Sequence, residues 1–172
     1  MKSAYIVAAK RTPVGTFMGK LLKTKGPKLG SISIRGAIDQ IGLDPRVIDE
    51  VLLGNVIGSG LGQNPARQAS LGAGIPLDVP CTLINKVCSS GMKTVTLAAT
   101  TIEAGRNNVV VAGGFESMSN APFMVMNHRK GVPFGNQQFL DAVAYDGLTD
   151  AYNNCAMGVC AEKTAEEMAI TR

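Results

Sequence analysis

One cysteine of the chain stands in the run Asn85-Lys86-Val87-Cys88-Ser89-Ser90-Gly91-Met92. An apolar, strand-like stretch ends here and a helical pattern begins, so Cys88 falls at a strand-to-helix junction. Backbone N–H groups left unpaired at a helix N-terminus favour negative charge. They raise the thiolate fraction of a cysteine placed there and can hold a developing oxyanion on a thioester carbonyl. Ser89, Ser90 and Gly91 leave room for a substrate to come close. Cys88 is therefore the candidate nucleophile, weighed against a buried cysteine that acts as a small hydrophobe. A cysteine nucleophile needs a base. The chain has one histidine, His128, beside Arg129 and Lys130, and it reads as a loop residue on the surface.

Other chemistry-bearing patterns are weaker. Gly58-Ser59-Gly60-Leu61-Gly62 lacks the spacing of a dinucleotide-binding fingerprint and reads as a flexible loop. Glu116, after Gly113-Gly114, is either a buried functional acid or a structural carboxylate, and the structural role is favoured. Cys81, Cys155 and Cys160 default to packing. The cysteine spacings do not match a zinc pattern, and a single histidine argues against a histidine-based metal site. No metal is expected.

The elements that must position Cys88 alternate in type. Residues 3–9 read as a buried strand, followed by turn chemistry at Thr12-Pro13-Val14-Gly15 and a Gly/Lys-rich loop to Gly30. Ile34, Ala37, Ile38 and Ile41 share one face of a helix that Gly42 ends. Residues 50–56 form a second strand. Asn64-Pro65 opens a helix, with Asn as cap and Pro in the first turn, running to Gly72. Residues 81–87 form a third strand. A helix from Ser89 to Ala104 puts Val95, Ala98, Ala99 and Ile102 on one face. Residues 108–112 form a fourth strand. This order implies a layered α/β domain with a largely parallel sheet. From Asn120 to Asn136 no regular period is visible, and a last helix is expected over 159–168. A domain boundary is placed near 118, giving domains 1–118 and 119–172.

Composition narrows the class. The chain has 172 residues, 45% hydrophobic and 17% charged, which excludes intrinsic disorder. Four cysteines are too sparse for a disulfide mini-protein. No run approaches the roughly 18 apolar residues of a membrane span. The net charge of +4 is scattered over Lys10–Arg11, residues 20–28 and 128–130. No nucleic-acid recognition module is visible, although some of these cations suit an anionic, phosphorylated substrate. With no signal or transit segment in view, reduced thiols and a cytoplasmic location are expected, without excluding mitochondria or peroxisomes.

Four segments together resemble the thiolase family. They are Ala8-Ala9-Lys10-Arg11-Thr12-Pro13-Val14-Gly15, Gly62-Gln63-Asn64-Pro65-Ala66-Arg67-Gln68, the Asn85–Lys93 run around Cys88, and Gly113-Gly114-Phe115-Glu116-Ser117-Met118-Ser119. Their order matches the family, and the Asn-Pro-Ala-Arg-Gln run argues against a beta-ketoacyl synthase. Asp146-Gly147-Leu148-Thr149-Asp150 and Met157-Gly158-Val159-Cys160-Ala161-Glu162 are similar to the acetoacetyl-CoA subgroup of acetyl-CoA acetyltransferases.

The resemblance implies the α/β N-terminal domain of a thiolase, layered α/β/α and lacking a returning strand, followed by the start of an inserted loop domain: an incomplete fold. It implies that Cys88 takes an acetyl group from acetyl-CoA and passes it to a second acetyl-CoA, giving acetoacetyl-CoA and CoA. It implies Met157 beside the pantetheine arm, acetyl-CoA and CoA as substrates without a further cofactor, and homo-oligomers formed through the N-terminal domain. Ala156 stands where the family usually has a histidine. The family's activating His, its acid/base Cys and its thioester-binding Asn have no counterpart among these residues. The alternative expectation is therefore an inactive thiolase fragment, serving at most as a CoA-binding or dimerisation module.

Overall fold

The computed structural model describes residues 2–172. It divides into two compact units, one ending at Asn120 and the other spanning Ala121–Arg172.

The first unit is built on a three-stranded parallel sheet in the order β2-β1-β3, with β1 at Glu50–Gly54, β2 at Cys81–Ile84 and β3 at Val110–Gly114. In register, Val51 faces Cys81 and Val111, and Leu53 faces Leu83 and Gly113. Strand side chains alternate between faces, so these residues share one side. On that side lie α1 (Gly26–Ile41) and α2 (Pro65–Gly72). Ile34 and Ile38 of α1 and Ala66 and Ala69 of α2 join Val51 and Leu53 in the core. α3 (Ser90–Glu103) packs on the other side, against Gly54. The result is the layered α/β/α arrangement.

Four expectations need correction. Residues 3–9 form no strand: Tyr5 and Ile6 are 79% and 80% exposed. An apolar run becomes a strand only when a neighbour supplies its hydrogen bonds, and neither sheet edge, β2 or β3, takes this segment. The expected loop to Gly30 gives way to helix from Gly26. A Cβ on Gly30 would lie 2.6 Å from the Phe115 ring, so glycine here makes room for an aromatic side chain and does not break the helix. The buried stripe of α3 is rotated: Ser90, Thr94 and Ala98 are buried, while Val95 is exposed. Thr94 Oγ1 lies 2.7 Å from the Gly91 carbonyl and 2.9 Å from that of Gly113, so a satisfied hydroxyl takes the inner position. β2 stops at Ile84, before residues 85–89 turn, and β3 is shifted to residues 110–114.

The second unit holds an antiparallel pair, β4 (Phe123–Val125) and β5 (Phe139–Asp141), joined in register Phe123↔Asp141 and Val125↔Phe139. Three-residue strands are too short to show alternation in sequence, so the stretch after residue 120 carried no visible period. A π-helical turn over Val143–Leu148 follows. α4 spans Met157–Glu167, two residues earlier than expected at its start. Among the described residues no helix is long and apolar enough to cross a membrane.

Candidate active site

The cysteine turn is built by hydrogen bonds that its own sequence supplies. Asn85 Oδ1 accepts from the Val87 N–H at 2.9 Å. Ser90 Oγ accepts from the Lys86 N–H at 2.8 Å and donates to the Val87 carbonyl at 2.5 Å. Ser89 Oγ donates to the Lys86 carbonyl at 2.9 Å. Two backbone bonds, Ser89 N–H to Lys86 and Ser90 N–H to Val87, wind the chain into α3. The clamp holds Val87 at φ 47°, a left-handed conformation that is rare for a β-branched residue and costs about 1–3 kcal/mol. Cys88 follows directly and is exposed. Strand β2 brings the chain up, the strained turn reverses it, and α3 begins at Ser90.

The floor beneath the turn is rigid. Gly54 of β1 abuts Ser90 so closely that a Cβ would sit 2.8 Å from the Ser90 Cβ. Asn55, buried just beyond, donates to Glu116 Oε1 at 2.6 Å. Glu116 also accepts from the N–H groups of Val56 at 2.9 Å and Ile57 at 3.3 Å. Glu116 is thus the structural carboxylate that ties the loop after β1 to the end of β3. Gly58–Gly62 is a loop, as its composition suggests. Asn64 caps α2 by accepting from the Arg67 N–H at 3.1 Å. Arg67 in turn donates to the Val79 carbonyl at 2.6 Å and to the carbonyl of Leu77, fixing the entry to β2. Cys81 packs against the core.

The remaining sequence candidates lie in the second unit. His128 is exposed in a short 3-10 turn. Met157 is the first residue of α4 and is 45% exposed. Among the described residues no base is hydrogen-bonded to Cys88. One grouping was not anticipated: Asp150, Cys155 and Cys160 come together, their ligating atoms all within 4.8 Å of one another. The signal was a Cys-x4-Cys spacing with an acid five residues upstream, which matches no familiar ligand pattern.

The first unit is a parallel α/β domain that carries an exposed cysteine on a strained turn between the end of β2 and the start of α3. Comparison with known proteins gives the family: residues 4–172 match the model of the thiolase N-terminal domain, and the chain belongs to that family. It is 53% identical over 167 residues to acetyl-CoA acetyltransferase 2 of Arabidopsis thaliana, covering 97% of this chain and 41% of that protein. It is 49% identical to human mitochondrial acetyl-CoA acetyltransferase, covering 100% of this chain and 40% of that protein. Among solved structures, the Acat5 thiolase from Ascaris suum in complex with coenzyme A matches with a TM-score of 0.94 and 44% identity. That match covers 99% of this chain and 44% of the other. The chain therefore spans about two fifths of the length of these relatives.

Proposed function

We propose that this chain carries the nucleophile half of an acetyl-CoA C-acetyltransferase. The observation behind this reading is the exposed Cys88 on a clamped turn at the start of α3. Cys88 Sγ, as thiolate, attacks the thioester carbonyl of acetyl-CoA. The tetrahedral oxyanion forms beside the N–H groups that open α3, and electrostatic donors placed where charge develops lower the barrier. The carbon–sulfur bond to CoA breaks, CoA leaves as the thiolate, and Cys88 is S-acetylated. In the second half-reaction the α-carbanion of another acetyl-CoA attacks that acetyl carbonyl, releasing the Cys88 thiolate and acetoacetyl-CoA. Thiolysis by CoA is the reverse. Met157 is assigned to the pantetheine arm. CoA enters as substrate, and the reaction uses no other cofactor.

Forming the α-carbanion needs a base, and general acid–base help is worth about 10²–10⁴-fold. No described residue offers one to the cysteine. In this reading the 172 residues by themselves support transfer of acetyl onto Cys88 and not the condensation. Incubation of the chain with acetyl-CoA, followed by intact mass and peptide mapping, tests it: one acetyl group on Cys88, absent in Cys88→Ser, is expected. Failure to acylate while a full-length relative acylates in parallel overturns it.

A second reading, a binding or dimerisation module without chemistry, is favoured by exposed apolar side chains on the first unit, with Met92 73% and Val7 69% exposed. It predicts concentration-dependent self-association or aggregation by sedimentation. A monomer at all concentrations contradicts it.

A further inference from the structure

We propose that Asp150, Cys155 and Cys160 form a zinc-binding site on the second unit. The two Sγ atoms lie 3.6 Å apart. A disulfide requires about 2.05 Å, so the thiols are in contact but unbonded. Two thiolates on one tetrahedral zinc, each at about 2.3 Å, stand about 3.8 Å from each other. The observed separation is thus close to that of a zinc-bound pair. A carboxylate oxygen of Asp150 lies within 4.8 Å of both sulfurs, so all three donors face one small volume.

The backbone holds this cluster in place. The Asp150 N–H donates to the Cys155 carbonyl at 2.8 Å, and the Asn154 N–H donates to the Asp150 carbonyl at 2.9 Å. Thr149 and Ala156 pair across the base of the loop. The Asp150 carboxylate is oriented through one oxygen: Oδ2 accepts from the Asn153 N–H at 2.6 Å and from its Nδ2 at 2.8 Å. Hydrogen bonds of this kind orient metal-ligating carboxylates. Cys160 sits in the first turn of α4, so one ligand is carried on a helix. All three residues are half-buried.

The donor set selects the metal. Thiolates favour zinc or copper(I) over magnesium and calcium, and the carboxylate favours the divalent ion. Three protein ligands leave a fourth position for water, the form taken by open zinc sites. Binding exchanges the two thiol protons for the metal, and both protons leave to solvent. Met157 lies between Cys155 and Cys160 in sequence, so the ion would stiffen the loop that carries it.

Cobalt(II) titration of the full chain, kept reduced by a phosphine, tests the site. The expected result is one cobalt per chain with a sulfur-to-cobalt charge-transfer band, removed by one equivalent of zinc. Cys155→Ser and Cys160→Ser should each abolish the band, and Asp150→Asn should weaken zinc binding by about tenfold or more. Cys81→Ser should leave the band intact. Circular dichroism of each variant confirms that the helices persist. Absence of the band in folded, reduced protein overturns the proposal. So does a band that survives Cys160→Ser.

Discussion

Gly54 at the end of β1 and Ser90 at the start of α3 touch backbone to backbone: a Cβ on Gly54 would lie 2.7 Å from the Ser90 carbonyl carbon and 2.8 Å from the Gly91 nitrogen. No flexible side chain is there to yield. Gly54→Ala must therefore push α3 off the sheet at the end that holds Cys88. Overpacking of this kind costs about 1–3 kcal/mol. The urea midpoint should fall, and the rate of Cys88 alkylation by iodoacetamide should change with it. Parent-like values for both would refute the argument that this contact sets the position of the cysteine.

Val87 is the strained residue of the turn, and it is exposed. Replacing it by glycine loses little packing. The strain relieved, about 1–3 kcal/mol, outweighs the roughly 0.5–1 kcal/mol of added chain entropy. Val87→Gly is expected to melt no lower than the parent. Val51→Gly, at a fully buried position of β1, serves as the contrast and should lose about 3 kcal/mol or more. Equal losses in the two variants would mean that the left-handed turn carries no strain.

Glu116 accepts three hydrogen bonds, from Asn55 Nδ2, Val56 N–H and Ile57 N–H. Glu116→Ala strands two backbone donors and a buried amide. Bonds to a charged acceptor are worth about 1.5–3 kcal/mol each in mutational series and are not additive, so a total loss of about 3 kcal/mol is expected. Glu116→Gln keeps one acceptor and should recover part of it. Thermal melts of the two variants rank the effect, and an Ala variant as stable as the Gln variant contradicts this account.

Asp49 accepts from the Val109 N–H at 2.9 Å and the Asn108 N–H at 2.7 Å. These bonds, Val109 first, hold its carboxyl below the ordinary range. A folded-state value lower than the unfolded one adds stability above the unfolded value, near 3.9, and loses it as the pH falls through the folded value. Asp49→Asn should therefore lower the urea midpoint at pH 7, with the difference from the parent closing below about pH 4. A gap that stays constant across that range would show that the charge is not what the two N–H groups bind.

Cys160 and Cys88 should react in a fixed order. The Cys155 contact, burial and nearby charge hold Cys160 in its protonated form, whereas Cys88 is exposed. Iodoacetamide at neutral pH without metal should label Cys88 before Cys160, as read by peptide mapping. The reverse order would contradict the described environments.

Much of the site was legible from local sequence because its turn is closed locally. Asn85, Ser89 and Ser90 make the bonds that shape the Cys88 turn within a few residues of chain, and Asn64-Pro65 announces α2 for the same reason. The α/β alternation is legible because helix and strand periodicities survive in single elements. Features that depend on a distant partner were not legible. Residues 3–9 carry a strand's composition but find no pairing edge, and the glycines of α1 resemble a loop until Phe115 is placed against them.

Composition, the local cap and turn residues, and the alternation of elements from β1 to β3 were therefore set by the sequence alone: short-range hydrogen bonds and side-chain periodicity suffice to specify them. The tertiary structure decided which face of α3 is buried, because the Thr94 hydroxyl finds the Gly113 carbonyl only once β3 is in place. It also decided that Glu116 is a structural tie, because Asn55, Val56 and Ile57 reach it from a distant part of the chain. Those outcomes depend on approach in space between groups whose separation along the chain gives no sign of it.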